Sequence, residues 1–527
     1  MDAQSFLLRR RHAPHLPSHH RVGEQSDGDV LNGVGFGHAL GNHARIVWRA
    51  ARRQTRGDQF LNRLLRGNQH FAAHMAAFFH RCQLVFEVHA GRARADHVLH
   101  QLEGVEHAAE TGFGVGHGVQ DHYSQTTESF ALFTNNTWHV TDQFDLTPDQ
   151  REIQELARRF TADRITPFAA EWDEKHIFPR DTIKAAAELG FAAIYVSEES
   201  GGIGLGRMES ALIMEAMAYG CPATSAFISI HNMATWMVAT WGQAAVAETW
   251  VPALASGEQL ASYCLTEPGA GSDAAALRTR AERCGEDYVL QGSKAFISGA
   301  GATDLLVVMA RTGEDGANGI SAFAVPADTP GVVYGKKEHK MGWNSQPTRS
   351  ISFEGARVPA SHRLGAEGEG FRIAMKGLDG GRINIATCSV GAAQGALDLA
   401  QRYLRERQQF RRPLAEFQGL QFKLADMATE LVAARQMVRL AASKLDRADP
   451  QATVFCAMAK RMATDIGFSV CNDALQLHGG YGYIREFPLE RLLRDVRVHQ
   501  ILEGTNEIMR VIVARHVLQP TCTEPLS

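Results

Sequence analysis

Residues 261–277 read ASYCLTEPGAGSDAAAL, and the pattern of the chain changes across them. Ahead of them lie runs with apolar residues three and four apart. After them come short β-rich runs: DYVLQG from Asp287, KAFISG from Lys294, DLLVVMAR from Asp304, GISAFAVP from Gly319 and SISFEGARVP from Ser350. Gly, Pro, Asn and Asp punctuate these runs, as in a small β-domain. In the opening stretch Pro268, Gly269 and Gly271 force a tight loop, Thr266 and Ser272 carry hydroxyls, and Glu267 and Asp273 carry carboxylates. Such a loop can turn backbone N–H groups toward a polar ring or a phosphate. A plain connecting loop has the same composition. Taken with KAFISGAG, where Phe296 is placed to stack and Ser298 to hydrogen-bond, it suits a planar heteroaromatic ligand.

Upstream, Thr147-Pro148 opens a helix, with Thr as the cap and Pro at the first helical position; Ile153, Leu156, Ala157 and Phe160 follow at helical spacing. DTIKAAAELG and MESALIMEAMAYG read as further helices stopped by Gly190 and Gly220. The glycines of EESGGIGLGR have no GxGxxG spacing after a strand, so this stretch reads as a loop. His231, set among apolar residues in ISIHNMATWM, reads as a packed core histidine. Downstream, Leu420, Leu424, Met427, Leu431, Ala434 and Val438 form the stripe of a bundle helix. Before it stands the basic run RERQQFRR, which is either a solvated charged face or, through Arg407, a guanidinium site for a pyrophosphate.

Near the C-terminus, Val498–Arg510 reads VHQILEGTNEIMR. Glu503 follows Ile501 and Leu502 and precedes Gly504, which permits close backbone approach to a ligand. Thr505 or Asn506 can cap the helix that follows. A carboxylate among apolar residues has its charged form disfavoured, so its pKa rises toward that of a useful general base. An acid in an ordinary loop before a helix is the competing reading of this stretch taken alone.

A chain with 45% apolar and 21% charged residues has an ordinary globular composition, and a net charge of −4 gives no electrostatic reason to expect nucleic acid or an anionic membrane. No apolar run is long enough to span a membrane. The eight cysteines show no CxxC pair or zinc-like spacing, which points to free thiols in a reducing, cytoplasmic setting without a metal. Residues 1–140 differ from all this: they hold 16 of the 23 histidines and no lysine. A His-rich metal module lacks a repeated ligand spacing there, and acids throughout argue against a transit peptide. The remaining reading is an atypical extension upstream of a functional start at or near Val140, for which intact mass below 57.7 kDa is the expected outcome.

Taken together, YCLTEPGAGSD, GSKAFISGAG, RQQFRRPLAEFQGLQFKLADM, LQLHGGYGY and ILEGTNEIMR resemble the acyl-CoA dehydrogenases in order and spacing across about residues 144–518. SIHNMATWM, MGWNSQPTR and GLDGGRINIA resemble members acting on short branched acyl chains. The resemblance implies an α+β multidomain fold: an N-terminal α-helical domain over 144–260, a middle β-domain over 261–370 and a C-terminal four-helix-bundle domain over 371–518. It implies FAD, an acyl-CoA substrate (isobutyryl-CoA going to methacrylyl-CoA in valine breakdown), electron-transferring flavoprotein as partner, and a homotetramer. A short-chain or 2-methylbutyryl-CoA dehydrogenase, an acyl-CoA oxidase and a silent FAD-bearing scaffold are the alternatives.

By the same carry-over Glu503 removes the substrate's α-proton, and its backbone N–H, with a flavin ribityl hydroxyl, polarises the thioester carbonyl. Cofactor contacts fall on Tyr263, Leu265, Thr266, Gly271, Ser272, Phe296, Ile297 and Ser298 from the β-domain. Others fall on Arg407, expected from a neighbouring subunit, on Phe410, Phe417 and Gln418, and on Gln476, Leu477, His478, Gly479 and Gly480. Thr505, Asn506 and Glu507 complete that set. Ser272, Asp379, Gly380, Gly381, Arg382 and Arg515 are implied toward substrate. Family members acting on isovaleryl and long-chain substrates carry the base on an earlier helix, at the position matching Gly381, which has no carboxylate; Asp379 is off register.

Overall fold

The computed structural model describes residues 146–519; the readings of residues 1–140 and of the start at Val140 lie outside them. Six helices come first: α1 (Pro148–Arg164), α2 (Ala169–Glu174), α3 (Arg180–Glu188), α4 (Arg207–Gly220), α5 (Pro222–Trp241) and α6 (Ala244–Ala255). A reciprocal capping box starts α1: Gln150 N donates to Thr147 Oγ1 at 3.2 Å, and Thr147 N donates to Gln150 Oε1 at 3.1 Å. Gly190 takes φ +81° just past α3. Gly220 does not work that way. α4 ends because Cys221 is extended (φ −150°, ψ 101°) ahead of Pro222, which opens α5. His231 is a core residue, its Nε2 2.9 Å from Leu254 O and its Nδ1 accepting from Ala261 N at 3.0 Å. Burial lowers its pKa to about 4, so it stays neutral.

The sheet follows, with β1 (Ala261–Cys264), β2 (Arg280–Cys284), β3 (Asp287–Ser298), β4 (Leu305–Arg311), β5 (Ile320–Pro326), β6 (Val332–Tyr334), β7 (Thr348–Pro359) and β8 (Arg363–Leu364). Its order is β6-β7-β3-β2-β4-β5-β8, with β1 parallel to β4. Both faces of β4 and β5 are buried, which is why these strands read as unbroken apolar runs rather than alternating ones. The β3–β7 register breaks between Lys294 and Ile297. Phe296 lies in that break at φ +59° and is 68% exposed, although its neighbours Ala295 and Ile297 are buried.

The last part holds α7 (Gly370–Glu406), a hairpin of β9 (Gln408–Gln409) and β10 (Arg412–Pro413), then α8 (Gln418–Asp446), α9 (Ala452–His478), α10 (Leu489–Arg497) and α11 (Asn506–Val517). α7, α8 and α9 pack through Val390, Leu397, Leu431, Val438, Phe455 and Val470. α4 joins them from the first helical part, tied by an ion pair between Glu215 and Arg435 at 2.8 Å. The architecture is the expected helical, β and helical succession. No helix among the described residues is long and apolar enough to cross a membrane.

Candidate active site

After α10 the chain makes one 3-10 turn (Val498–Gln500) and then bends sharply, with Glu503 at φ +56° and Gly504 at φ +87°. A glutamate in the left-handed region is held at a cost of about 1–2 kcal/mol. The surroundings fix it there. Thr505 caps α11 by accepting from Ile508 N at 3.3 Å. Lys460, on α9 and 0% exposed, donates to Gly504 O and to Asn506 Oδ1, both at 2.8 Å. Asn506 Nδ2 donates to Thr464 Oγ1 at 2.9 Å and to Asp465 Oδ1 at 2.7 Å. The Asn506 side chain is thus spent on bracing the turn, while Glu507 is exposed.

The Glu503 residue is partly accessible, yet its Oε2 is buried and has no hydrogen-bond partner. Burial raises its pKa to about 7, against the opposing pull of Arg382 and Lys460. A carboxylate that titrates near neutrality and keeps free lone pairs is suited to taking a proton from carbon. Its place depends on α7. A Cβ built on Gly381 would lie 2.4 Å from Glu503 Oε2, so the missing side chain is the room in which the carboxylate sits. Carboxylates at 381 and 503 would exclude one another.

Beside this notch Arg382 pairs with Asp379 at 2.7 Å, and Asp379 also accepts from Thr453 Oγ1 at 2.7 Å. Arg382 Nε and Tyr263 OH are buried without partners, and the Glu503 charge acts on Tyr263. The Glu503 backbone N–H donates to no group among the described residues. The structure therefore gathers Glu503, Asp379, Gly380, Gly381, Arg382 and Tyr263. Three residues absent from the sequence reading belong with them: Tyr195, Arg207 and Asn384, each with a buried unpartnered polar atom. Lys460 was missed too. Its signal was a lysine at helical spacing with Ala457 and Thr464, a face that turns out buried.

The stretch after β1 forms a second group. Glu267 does not face a ligand: it accepts from Arg278 N at 2.6 Å, Thr279 N at 2.9 Å and Lys294 Nζ at 2.7 Å. Thr266 O accepts from Ala295 N at 2.9 Å, and Ser298 O accepts from Ser262 Oγ at 2.7 Å. These bonds set Thr266, Phe296 and Ser298 along one edge, with Leu265 and Ile297 buried beneath. Gly271 and Ser272 are exposed in the loop.

A third group stands apart. Arg407, Phe410, Phe417 and Gln418 surround the β9–β10 hairpin, where Phe410 is 87% exposed. Arg407 lies 5.7 Å from the Tyr481 ring, and Tyr403 stacks on His478 at 4.3 Å. The His478 side chain is buried, with Nδ1 on Ala474 O, while Gln476, Gly479 and Gly480 are exposed and Leu477 is buried. At 1.5 Å per residue, about 39 Å of α7 separates Gly381 from Arg407. The hairpin cannot reach the Glu503 site of its own chain. Arg515 is exposed on α11.

A helix–sheet–helix frame around a proton-poised carboxylate is suited to an enzyme that removes a proton from carbon. Three family models agree: acyl-CoA dehydrogenase N-terminal domain over residues 147–258, middle domain over 262–356 and C-terminal domain over 368–518. The chain belongs to the acyl-CoA dehydrogenases, FAD-dependent oxidoreductases acting on CH–CH bonds. It is 52% identical over 374 residues to the mitochondrial isobutyryl-CoA dehydrogenase of Bos taurus, covering 71% of this chain and 90% of that one. The Dictyostelium discoideum enzyme of the same name is also 52% identical, over 373 residues, with the same coverage. Among solved structures, butyryl-CoA dehydrogenase from Megasphaera elsdenii superposes with a TM-score of 0.69 at 38% identity, covering 71% of this chain and 99% of that one. The residues present fit FAD. Phe296 is an exposed ring in a broken register, and a Cβ on Gly479 or Gly480 would meet nothing within 4 Å.

Proposed function

We propose that this chain oxidises isobutyryl-CoA to methacrylyl-CoA, a step of valine breakdown, with electrons leaving to electron-transferring flavoprotein. The observation that carries the chemistry is the Glu503 carboxylate, its Oε2 buried without a hydrogen-bond partner, its pKa raised to about 7 and its place set against Gly381. Glu503 removes the proton α to the thioester carbonyl. Its free backbone N–H is positioned to bind the carbonyl oxygen as charge develops there. Lys460 and Arg382 keep the base ionisable in a site from which the substrate excludes water. When bound, FAD supplies the acceptor for the β-hydride.

Thr266, Phe296 and Ser298 would hold the ring end of FAD. Gly479, Gly480 and the Arg407 hairpin would hold its remote end, the hairpin from a second subunit. The length of α7 supports that division between two subunits, and the resemblance to the family is what supports a homotetramer. The six described cysteines are all unpaired, which supports a cytoplasmic setting. The 52% identity to two isobutyryl-CoA dehydrogenases supports the acyl group. Anaerobic titration with isobutyryl-, butyryl- and 2-methylbutyryl-CoA tests it. Flavin bleaching at near-stoichiometric isobutyryl-CoA, with weaker responses to the others, is the expected result. Preferential bleaching by another thioester overturns the substrate, and no bleaching overturns the chemistry.

A further inference from the structure

Arg207 is a buried arginine, 8% exposed, with no carboxylate in ion-pair distance among the described residues. It is the first residue of α4. Asp446 from α8 fixes its backbone by accepting from Arg207 N at 2.6 Å and Met208 N at 3.0 Å. Its guanidinium lies 3.5 Å over the Tyr195 ring and 5.2 Å from the Trp236 ring, a cation–π seat in place of an ion pair. Arg207 Nη1, Tyr195 OH and Asn384 Nδ2 are buried without a well-aligned hydrogen bond, and the Tyr195 hydroxyl, which feels both other groups, is the polar atom they share. Buried, poorly paired donors are costly, so three in one place need an explanation.

Their position supplies it. A Cβ on Gly380 would lie 2.2 Å from Arg207 Nη1, and a Cβ on Gly381 would lie 2.4 Å from Glu503 Oε2. The guanidinium and the base therefore lie against adjoining faces of α7 at successive glycines, and the Glu503 charge acts on Tyr195, the ring that the guanidinium covers. The base marks where the substrate's α-carbon must stand, and the Tyr195–Arg207 pair is near enough to it to feel its charge.

We propose that Arg207, seated on Tyr195 and Trp236, is the specificity-determining end wall of the acyl pocket, admitting short branched acyl-CoAs and rejecting longer straight ones. This rests on the acyl-CoA reading of the Glu503 site. An apolar wall would yield to a longer chain at the loss of some packing. This wall has N–H and O–H groups that satisfy one another only poorly, and a longer alkyl chain would strip them of water and offer nothing in return. A four-carbon branched chain stops short of them. Rejection is thus built from polar groups rather than from bulk.

The test measures kcat/KM for hexanoyl-CoA and isobutyryl-CoA on FAD-loaded wild type, Arg207→Met and Tyr195→Phe. Methionine keeps a long side chain and removes the donors; phenylalanine keeps the ring under the guanidinium and removes one hydroxyl. The hexanoyl-to-isobutyryl ratio should rise about tenfold or more in Arg207→Met and less in Tyr195→Phe. A ratio unchanged within about twofold in an Arg207→Met protein that keeps its flavin and its Tm overturns the wall. Should Arg207→Met not fold, an unchanged ratio in Tyr195→Phe does the same. A wild type inert toward both thioesters removes the dehydrogenase reading and the wall with it; an active wild type whose ratio ignores both substitutions removes the wall alone.

Discussion

Two glutamates stand in Gly- and Thr-bearing loops of this chain, and they meet opposite surroundings. Glu267 is saturated: two backbone N–H groups and the fully buried Lys294 ammonium all donate to it. Burial pushes its pKa up, but Lys294 and these donors outweigh burial and hold it below the usual value. Glu503 is left wanting, with Oε2 unpartnered and its pKa raised to about 7 by burial. A carboxylate whose lone pairs are filled by its own protein is a strut. One whose lone pairs are kept free in a dry place is available for chemistry.

Exchanging each for its amide separates the two roles. Glu503→Gln should bind FAD and acyl-CoA normally and lose about 10⁴-fold in kcat, measured by stopped-flow flavin reduction. Retention of a tenth of the activity would end its assignment as base. Glu267→Gln should do the reverse. It leaves Lys294 buried opposite a neutral group, so the fold should lose about 3–5 kcal/mol, while the rate per flavin-loaded molecule stays close to wild type. Calorimetry on both variants reads the contrast directly. A Glu267→Gln protein as stable as wild type would show that the pair is not a strut.

Gly381→Ala tests whether the notch is what holds the base in place. Its methyl would sit 2.4 Å from Oε2, closer than real side chains approach, so the carboxylate must move. A misplacement of this order costs about 10²-fold in rate. The loss should appear in kcat with flavin content unchanged. An active Gly381→Ala enzyme would mean that Glu503 reaches its proton from another position.

Much of this was legible in the chain. The change of period at Ala261 gave the helical–β–helical succession, and Thr147-Pro148 gave a helix start that the capping box bears out. Glu503 stood out because Gly504 and a cappable Thr505 surround it. What stayed hidden depends on three-dimensional partners. Nothing near Glu267 in sequence announces Lys294 as its counter-ion, 27 residues on. Nothing near Arg207 says that its guanidinium is buried without a carboxylate, because that follows from Tyr195, Trp236 and Gly380 converging on it. Gly220 misled for a related reason. Its helix is ended by Cys221 ahead of Pro222, and the glycine instead makes room, since a Cβ there would meet Thr166 Oγ1 at 2.7 Å.

The smallest of the expected effects bears on the finest point of the comparison, how a lysine serves each glutamate. Lys294 touches its glutamate at 2.7 Å, whereas Lys460 bonds Gly504 O and Asn506 Oδ1 and acts on Glu503 through its charge. Glu503 must be ionised to accept a proton, so kcat/KM should fall tenfold per unit as pH drops below about 7 and level off above it. Burial lowers the Lys460 pKa to about 7, but Glu503, Asp465 and Glu507 favour its charged form while Arg382 opposes it. Ionising Glu503 therefore helps Lys460 keep its proton, and the retained charge stabilises the carboxylate in return. Lys460→Met removes that charge, so the Glu503 pKa should rise further and the acid limb of kcat/KM should move up by about one pH unit. Lys460→Arg, which keeps a charge, should leave the limb closer to its original position. A Lys460→Met enzyme that is slower at every pH but keeps its limb near 7 would reduce Lys460 to a brace for the turn, and would make the two buried lysines alike after all.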